Sequence, residues 1–130
     1  STTFGIDIRS VPNIDHPTIF RCLCEHLGND VTLSTSLDVG SIYTEFDHPW
    51  IQNIFDIVEY HTGERPRSRS ATYFTDAAAL NPVLGQPPTV ILGPGEPDMA
   101  HQTDEYCRIS KIHQGVDIYG AVLDKWFSKT

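Results

Sequence analysis

The sequence predicts an α/β chain, α+β in its overall layout, and three observations carry that expectation. Apolar residues alternate at a period of two in several short stretches. Longer stretches repeat apolar residues at helical spacing, opening on capping residues and closing on glycine. The opening stretches run strand, helix, strand, the order of a β-α-β unit.

Phe4, Ile6 and Ile8 alternate with Asp7 and Arg9 between Thr3 and Val11, which suits a half-buried strand stopped by Pro12 and Asn13. Asp15 offers a carboxylate as N-cap ahead of Pro17, and Ile19, Phe20, Leu23, Cys24 and Leu27 line one helical face up to Gly28. Val31, Leu33, Leu37 and Val39 alternate again, completing β-α-β. Asp47, His48 and Pro49 repeat the opening device and introduce Ile51, Ile54, Phe55 and Val58 at helical spacing until Gly63. Ser70 to Asp76, with Thr72, Tyr73, Phe74 and Thr75, reads as a strand. One helical turn is expected from Asp76 to Leu80, before Pro82. The apolar run from Thr89 to Leu92 suits a strand buried on both faces. Ser110 is the expected cap of a last helix with an apolar stripe of Ile112, Val116, Tyr119, Val122, Leu123 and Trp126.

A length of 130 residues fits about one domain, with two smaller lobes as the alternative. With 39% hydrophobic and 20% charged residues the chain is globular in composition and not disordered. A net charge of −8 and dispersed Lys and Arg exclude a nucleic-acid surface, and Arg65, Arg67 and Arg69 read as a solvated connection. No apolar run is long enough to span a membrane, and Ser1 reads as a cut end and not a natural start. Cys22, Cys24 and Cys107 lack zinc-knuckle spacing and are odd in number, so they read as reduced thiols of a cytosolic protein, Cys22 and Cys24 as small buried hydrophobes. His16 and His48 are expected as surface residues beside caps, and His26 and His61 as helix-end residues.

The stretch "GPGEPDMAHQTDEY", Gly93 to Tyr106, is where chemistry is expected. Gly93 and Gly95 permit a sharp bend around Pro94, since glycine tolerates positive φ and proline fixes its own. His101 is thereby presented on an irregular loop after a strand, either as a metal ligand or as a loop histidine with local hydrogen bonds. Asp104 or Glu105 would supply an acceptor for its other ring nitrogen. In open α/β sheets ligands bind beyond the strand ends. Thr75 with Asp76 and the Gly93 loop are therefore expected to converge.

The string "TVILGPGEPDMAHQTDEYCRISKIHQGVDIYGAVL" resembles the C-terminal signature of the co-catalytic zinc amidohydrolases that include acetylornithine deacetylase, succinyl-diaminopimelate desuccinylase and aminoacylase. "YFTDAAAL" is similar to a Thr-Asp-Ala segment of that family, and "GIDIRSVPNIDHPTIFRCL" to the Asp-Ile-Arg strand and helix of its lid, or dimerisation, domain. The resemblance runs from Thr3 to Phe127 and is most specific at the histidine loop. It implies that residues 1–45 are part of a β-α-β lid domain and residues 46–130 the C-terminal portion of an α/β catalytic domain.

Carried over by the resemblance, His101 would be the last protein ligand of a two-zinc centre, with cobalt as a possible substitute. Thr75, Asp76, Gly93 and Gly95 would line the substrate pocket, together with Arg9, for which pairing with an acid in its own sheet is the alternative. Glu105 and Asp104 would support the loop. The family's His-x-Asp motif and Glu-Glu pair, whose first glutamate is the general base, have no counterpart here. The resemblance thus implies a C-terminal fragment, without a catalytic base and without tightly bound metal of its own. The intact parent would be a cytoplasmic homodimer, paired through the lid, that hydrolyses an N-acyl amino acid. N-acetyl-L-ornithine is the first choice and succinyl-diaminopimelate the second. The rival from another class is a non-catalytic dimerisation or interaction module.

Overall fold

The computed structural model describes residues 2–71 and 73–128, so Thr72, counted in an expected strand, and Ser1 lie outside the described residues. The chain divides into two compact units. One comprises Ser1–Tyr43 with Ala71–Pro87, the other Thr44–Ser70 with Pro88–Thr130.

The first unit is organised by helix α1, His16–Leu27. Its N-cap is the expected Asp15, whose carboxylate accepts from the Thr18 backbone N–H at 3.0 Å and from the Thr18 hydroxyl. These bonds, the hydroxyl's foremost, hold the Asp15 carboxyl below the usual carboxylate range. Gly28, at φ 69°, ends the helix and donates its N–H to the Cys24 carbonyl. No residue of α1 is buried: Ile19 and Leu23 are half-buried, and Cys22 and Cys24 are exposed, which corrects their expected burial. His16, expected as a surface residue beside the cap, is half-buried. Its ring is bonded on both sides, to Asp38 and to Ser10. Helix α2 of the second unit spans Pro49–Thr62, and α3, back in the first unit, spans Ala77–Val83. Helix α3 starts where expected, with the Asp76 carbonyl accepting from Ala79 and Leu80 N–H groups at 3.0 Å. It continues past Leu80 to include Pro82, and the reversal falls at Gly85 and Gln86, both at positive φ.

The core lies in the second unit, where α2 packs on helix α4, Ile109–Phe127. Ile51, Ile54 and Phe55 of α2 and Ile118 of α4 are its buried apolar residues, at 3–7% exposure. Trp50 and Trp126 meet edge to face with centroids 5.3 Å apart. The α2 cap comes from His48, not Asp47: His48 Nδ1 accepts from the Trp50 N–H at 3.1 Å. Gly63 closes α2 in the left-handed conformation, φ 78°. Arg65 is bound to the outer face of α2, donating to Asp56 and Glu59 at 2.7 Å and to Gln52 at 2.8 Å. Those two carboxylates raise its pKa. Arg65, Arg67 and Arg69 are all exposed in this connection, Arg65 while paired to α2.

In α4 the helix is as expected but its buried face is not. Gly115 and Ile118 turn inward and Val122 of the expected stripe is half-buried, whereas Ile112, Val116, Tyr119, Leu123 and Trp126 are 42–65% exposed. Both stripes recur at helical spacing, so periodicity alone could not choose between them. The helix starts at Ile109 with Arg108 as N-cap, and Ser110 does not cap it.

The α/β expectation is overturned, including the β-α-β unit in residues 1–45 and the α/β arrangement of 46–130. Among the described residues there is no strand and no sheet, only α-helices and two short 3-10 turns joined by irregular segments. A strand exists only when its N–H and C=O groups enter a ladder with a second strand, and period-two alternation does not supply that partner. The alternating side chains Phe4, Ile6 and Ile8 are 74%, 58% and 49% exposed, and Ile91 is 50% exposed. The segment from Thr89 to Leu92 is instead tied down by Thr44, whose hydroxyl accepts from the Thr89 N–H at 2.8 Å and lies 3.1 Å from its carbonyl.

Candidate functional site

The histidine loop belongs to the second unit, and a succession of turns builds it. Glu96 to Met99, Pro97 to Ala100, Met99 to Gln102 and Gln102 to Glu105 are each closed by a backbone hydrogen bond of 2.9–3.3 Å. Gly93 and Gly95 do not take positive φ, and a Cβ at either would meet nothing within 4 Å. The sharp bending expected of them falls elsewhere, on His101 at φ 63° and Asp104 at φ 62°. Such backbone costs an ordinary L-residue about 1–2 kcal/mol, which surrounding contacts must offset.

Those contacts are identifiable. Glu105 accepts from the His101 backbone N–H at 3.1 Å. The Cys107 thiol donates to the Pro94 carbonyl at 3.4 Å, and the Tyr119 hydroxyl donates to the Leu92 carbonyl at 2.9 Å. At buried Gly115, α4 faces the Pro94 ring, and a Cβ there would lie 3.5 Å from Pro94 Cβ, an ordinary contact. Gln114 donates to the His61 carbonyl at 2.6 Å, linking α4 to the end of α2. The sequence placed Tyr119 only in the apolar stripe of the last helix and did not single out Gly115 or Gln114. The one signal was a glycine inside a helical pattern, which marks a close approach.

His101 itself is exposed, and Glu105 meets its backbone, not its ring. Gly93 and Gly95 line a cavity of about 190 Å³ together with Val58, Leu92, Lys111 and Ile118. Asp104 is exposed in the same loop. Thr75, Asp76 and Arg9 belong to the other unit. There Thr75 is half-buried, and its carbonyl accepts from the Ala78 N–H at 3.0 Å as α3 begins. Arg9 pairs with Asp7, two residues earlier in the same irregular segment, at 2.6 Å. Among the described residues no group of three or more His, Cys, Asp and Glu side chains is placed to hold a metal ion. One exposed imidazole supplies one donor, whereas zinc takes three or four. The donors of this chain do not fit a complete zinc site.

The family profile described as peptidase family M20/M25/M40 matches residues 5–125, nearly the whole chain. The chain belongs to peptidase family M20/M25/M40. It is 34% identical to the acetylornithine deacetylase of Vibrio cholerae, over 94% of this chain and 30% of that protein. It is 28% identical to a Staphylococcus epidermidis protein named "Probable succinyl-diaminopimelate desuccinylase", over 98% of this chain and 33% of that protein. An acetylornithine deacetylase of Vibrio campbellii shares 30% identity over 63% of this chain. The match thus spans about a third of the length of the Vibrio cholerae and Staphylococcus epidermidis proteins and 19% of the Vibrio campbellii one. No solved structure matches it significantly. No helix among the described residues is long and apolar enough to cross a membrane.

Proposed function

We propose that this chain is the C-terminal portion of a zinc-dependent N-acyl amino acid amidohydrolase. N-acetyl-L-ornithine is the preferred substrate of the intact polypeptide and succinyl-diaminopimelate the second choice. The observation that carries this reading is the family match over residues 5–125, joined to relatives named for those two substrates. His101 contributes one metal-binding imidazole, and the stiffened loop holds it at a fixed position. The remaining donors and the general base come from polypeptide beyond this third of the relatives' length. Thr75, Asp76, Gly93, Gly95 and Arg9 contribute to the substrate pocket, with Glu105 and Asp104 as supports of the loop. The homodimer and the cytoplasmic setting are carried over from the resemblance, the latter in keeping with three free cysteines.

The test is an amide-hydrolysis assay on two preparations, this chain alone and a polypeptide of the relatives' length that contains it. The longer polypeptide releases acetate from N-acetyl-L-ornithine faster than succinate from succinyl-diaminopimelate, and the chain alone releases neither above the buffer blank. Hydrolysis by the chain alone, or none by the longer polypeptide, refutes the reading.

A further inference from the structure

Within the first unit, Ser10, His16 and Asp38 form one hydrogen-bonded relay. His16 Nδ1 lies 2.5 Å from Asp38 Oδ1, and His16 Nε2 lies 2.9 Å from Ser10 Oγ. An ionised carboxylate can only accept, so a neutral His16 ring paired with Asp38 carries its proton on Nδ1. That leaves the Nε2 lone pair facing the Ser10 hydroxyl, which donates to it. The order carboxylate, imidazole, hydroxyl is that of a serine activated by a general base whose second nitrogen is oriented by an acid. Local structure explains how the three meet. Pro12 and the left-handed Asn13, φ 68°, form a turn between Ser10 and the first residue of α1, and Asp38 comes from the irregular segment beyond that helix. The relay is open to reactants: the His16 and Asp38 side chains are 27% and 56% exposed, and Ser10 is half-buried.

We propose that Ser10 is an acyl-accepting nucleophile toward activated carboxylic esters, with His16 as its base and Asp38 as the residue that positions His16. Ser10 Oγ bonds to the ester carbonyl carbon while its proton passes to His16 Nε2. The bond from that carbon to the leaving oxygen breaks, and the leaving oxygen takes the proton from Nε2. Water then attacks the acyl-serine, giving a proton to Nε2. The acyl–Oγ bond breaks and Ser10 recovers the proton, so that ester and water become acid and alcohol. None of these residues belongs to the proposed amidohydrolase site, and the inference stands or falls independently of it.

The test treats the whole chain at neutral pH with a fluorophosphonate probe, on which Ser10 Oγ would bond to phosphorus as fluoride leaves. Modified serines are mapped by peptide mass spectrometry. Base assistance of this kind is worth about 10²–10⁴-fold, so Ser10 is labelled at least about 10²-fold faster than the other serines. His16→Asn removes that advantage. Asp38→Asn reduces it by at least about tenfold with the circular dichroism of the chain unchanged, as expected of a base left unoriented. Labelling of Ser10 no faster than of other serines in the unmodified chain, or equally fast in His16→Asn, would overturn the proposal.

Discussion

The carboxylate of Glu105 accepts a hydrogen bond at 3.1 Å from the backbone N–H of His101, a residue held at φ 63°. The acid four positions on thus secures the main chain that carries the imidazole. In Glu105→Ala the His101 amide should exchange with solvent faster than in the parent chain, while amides in the middle of α4 are unaffected. Hydrogen exchange followed by mass spectrometry or NMR reads this, and equal protection in both chains would show that the contact does not order the loop.

The same φ makes His101 a strained residue. Glycine adopts it freely, whereas alanine keeps the Cβ penalty and loses the imidazole. Denaturant unfolding should find His101→Gly more stable than His101→Ala by about 1 kcal/mol. The reverse order would place the loop in another backbone conformation.

Ile54 and Ile112 separate the buried face of the α2–α4 pair from the exposed one, at 3% and 46% exposure. Ile54→Ala should cost about 2–5 kcal/mol, a large part of the stability available to so small a core. Ile112→Ala should cost well under that. Similar losses at the two positions would mean that the stripe expected from periodicity is also buried.

At Gly115 an added Cβ would lie 3.5 Å from Pro94 Cβ, an ordinary contact. Gly115→Ala should therefore raise the melting temperature, the gain in helix propensity being about 0.8–1 kcal/mol. A lowered melting temperature would indicate that α4 and the Pro94 loop are closer than this contact.

Capping of α1 should depend on acidity. Asp15 is held below the free-Asp value of about 3.9, so its contribution is complete above that pH and is lost as pH falls through the depressed value. The unfolded chain takes up the proton first, which turns the balance against the helix. Asp15→Ala should lower helical circular dichroism at neutral pH and abolish its acid dependence in α1. An unchanged acid transition would assign that transition to other carboxylates.

Legibility followed the range of the interactions. Asp15, Gly28 and Gly63 declared the limits of α1 and α2 because capping is settled within a few residues, and Ile51, Ile54 and Phe55 declared the inward face of α2. Sheet formation depends on distant partners, and the alternation of Phe4, Ile6 and Ile8 carried no information about whether one exists. In α4, two helical stripes competed, and packing on α2, with Pro94 against Gly115, decides which faces inward. The His101 loop was legible as a stiff, polar, turn-rich segment, but its left-handed positions were expected at glycines and occur at His101 and Asp104. The contact of His16 with Asp38 spans 22 residues of sequence and leaves no local trace.

The most direct measurement is the bound zinc per chain, with N-acetyl-L-ornithine hydrolysis, of a polypeptide of the relatives' length carrying either His101 or His101→Ala. With His101 as a zinc ligand, the substitution removes about one zinc ion per chain and lowers hydrolysis by at least about 10²-fold. Unchanged zinc content together with unchanged hydrolysis would contradict that role.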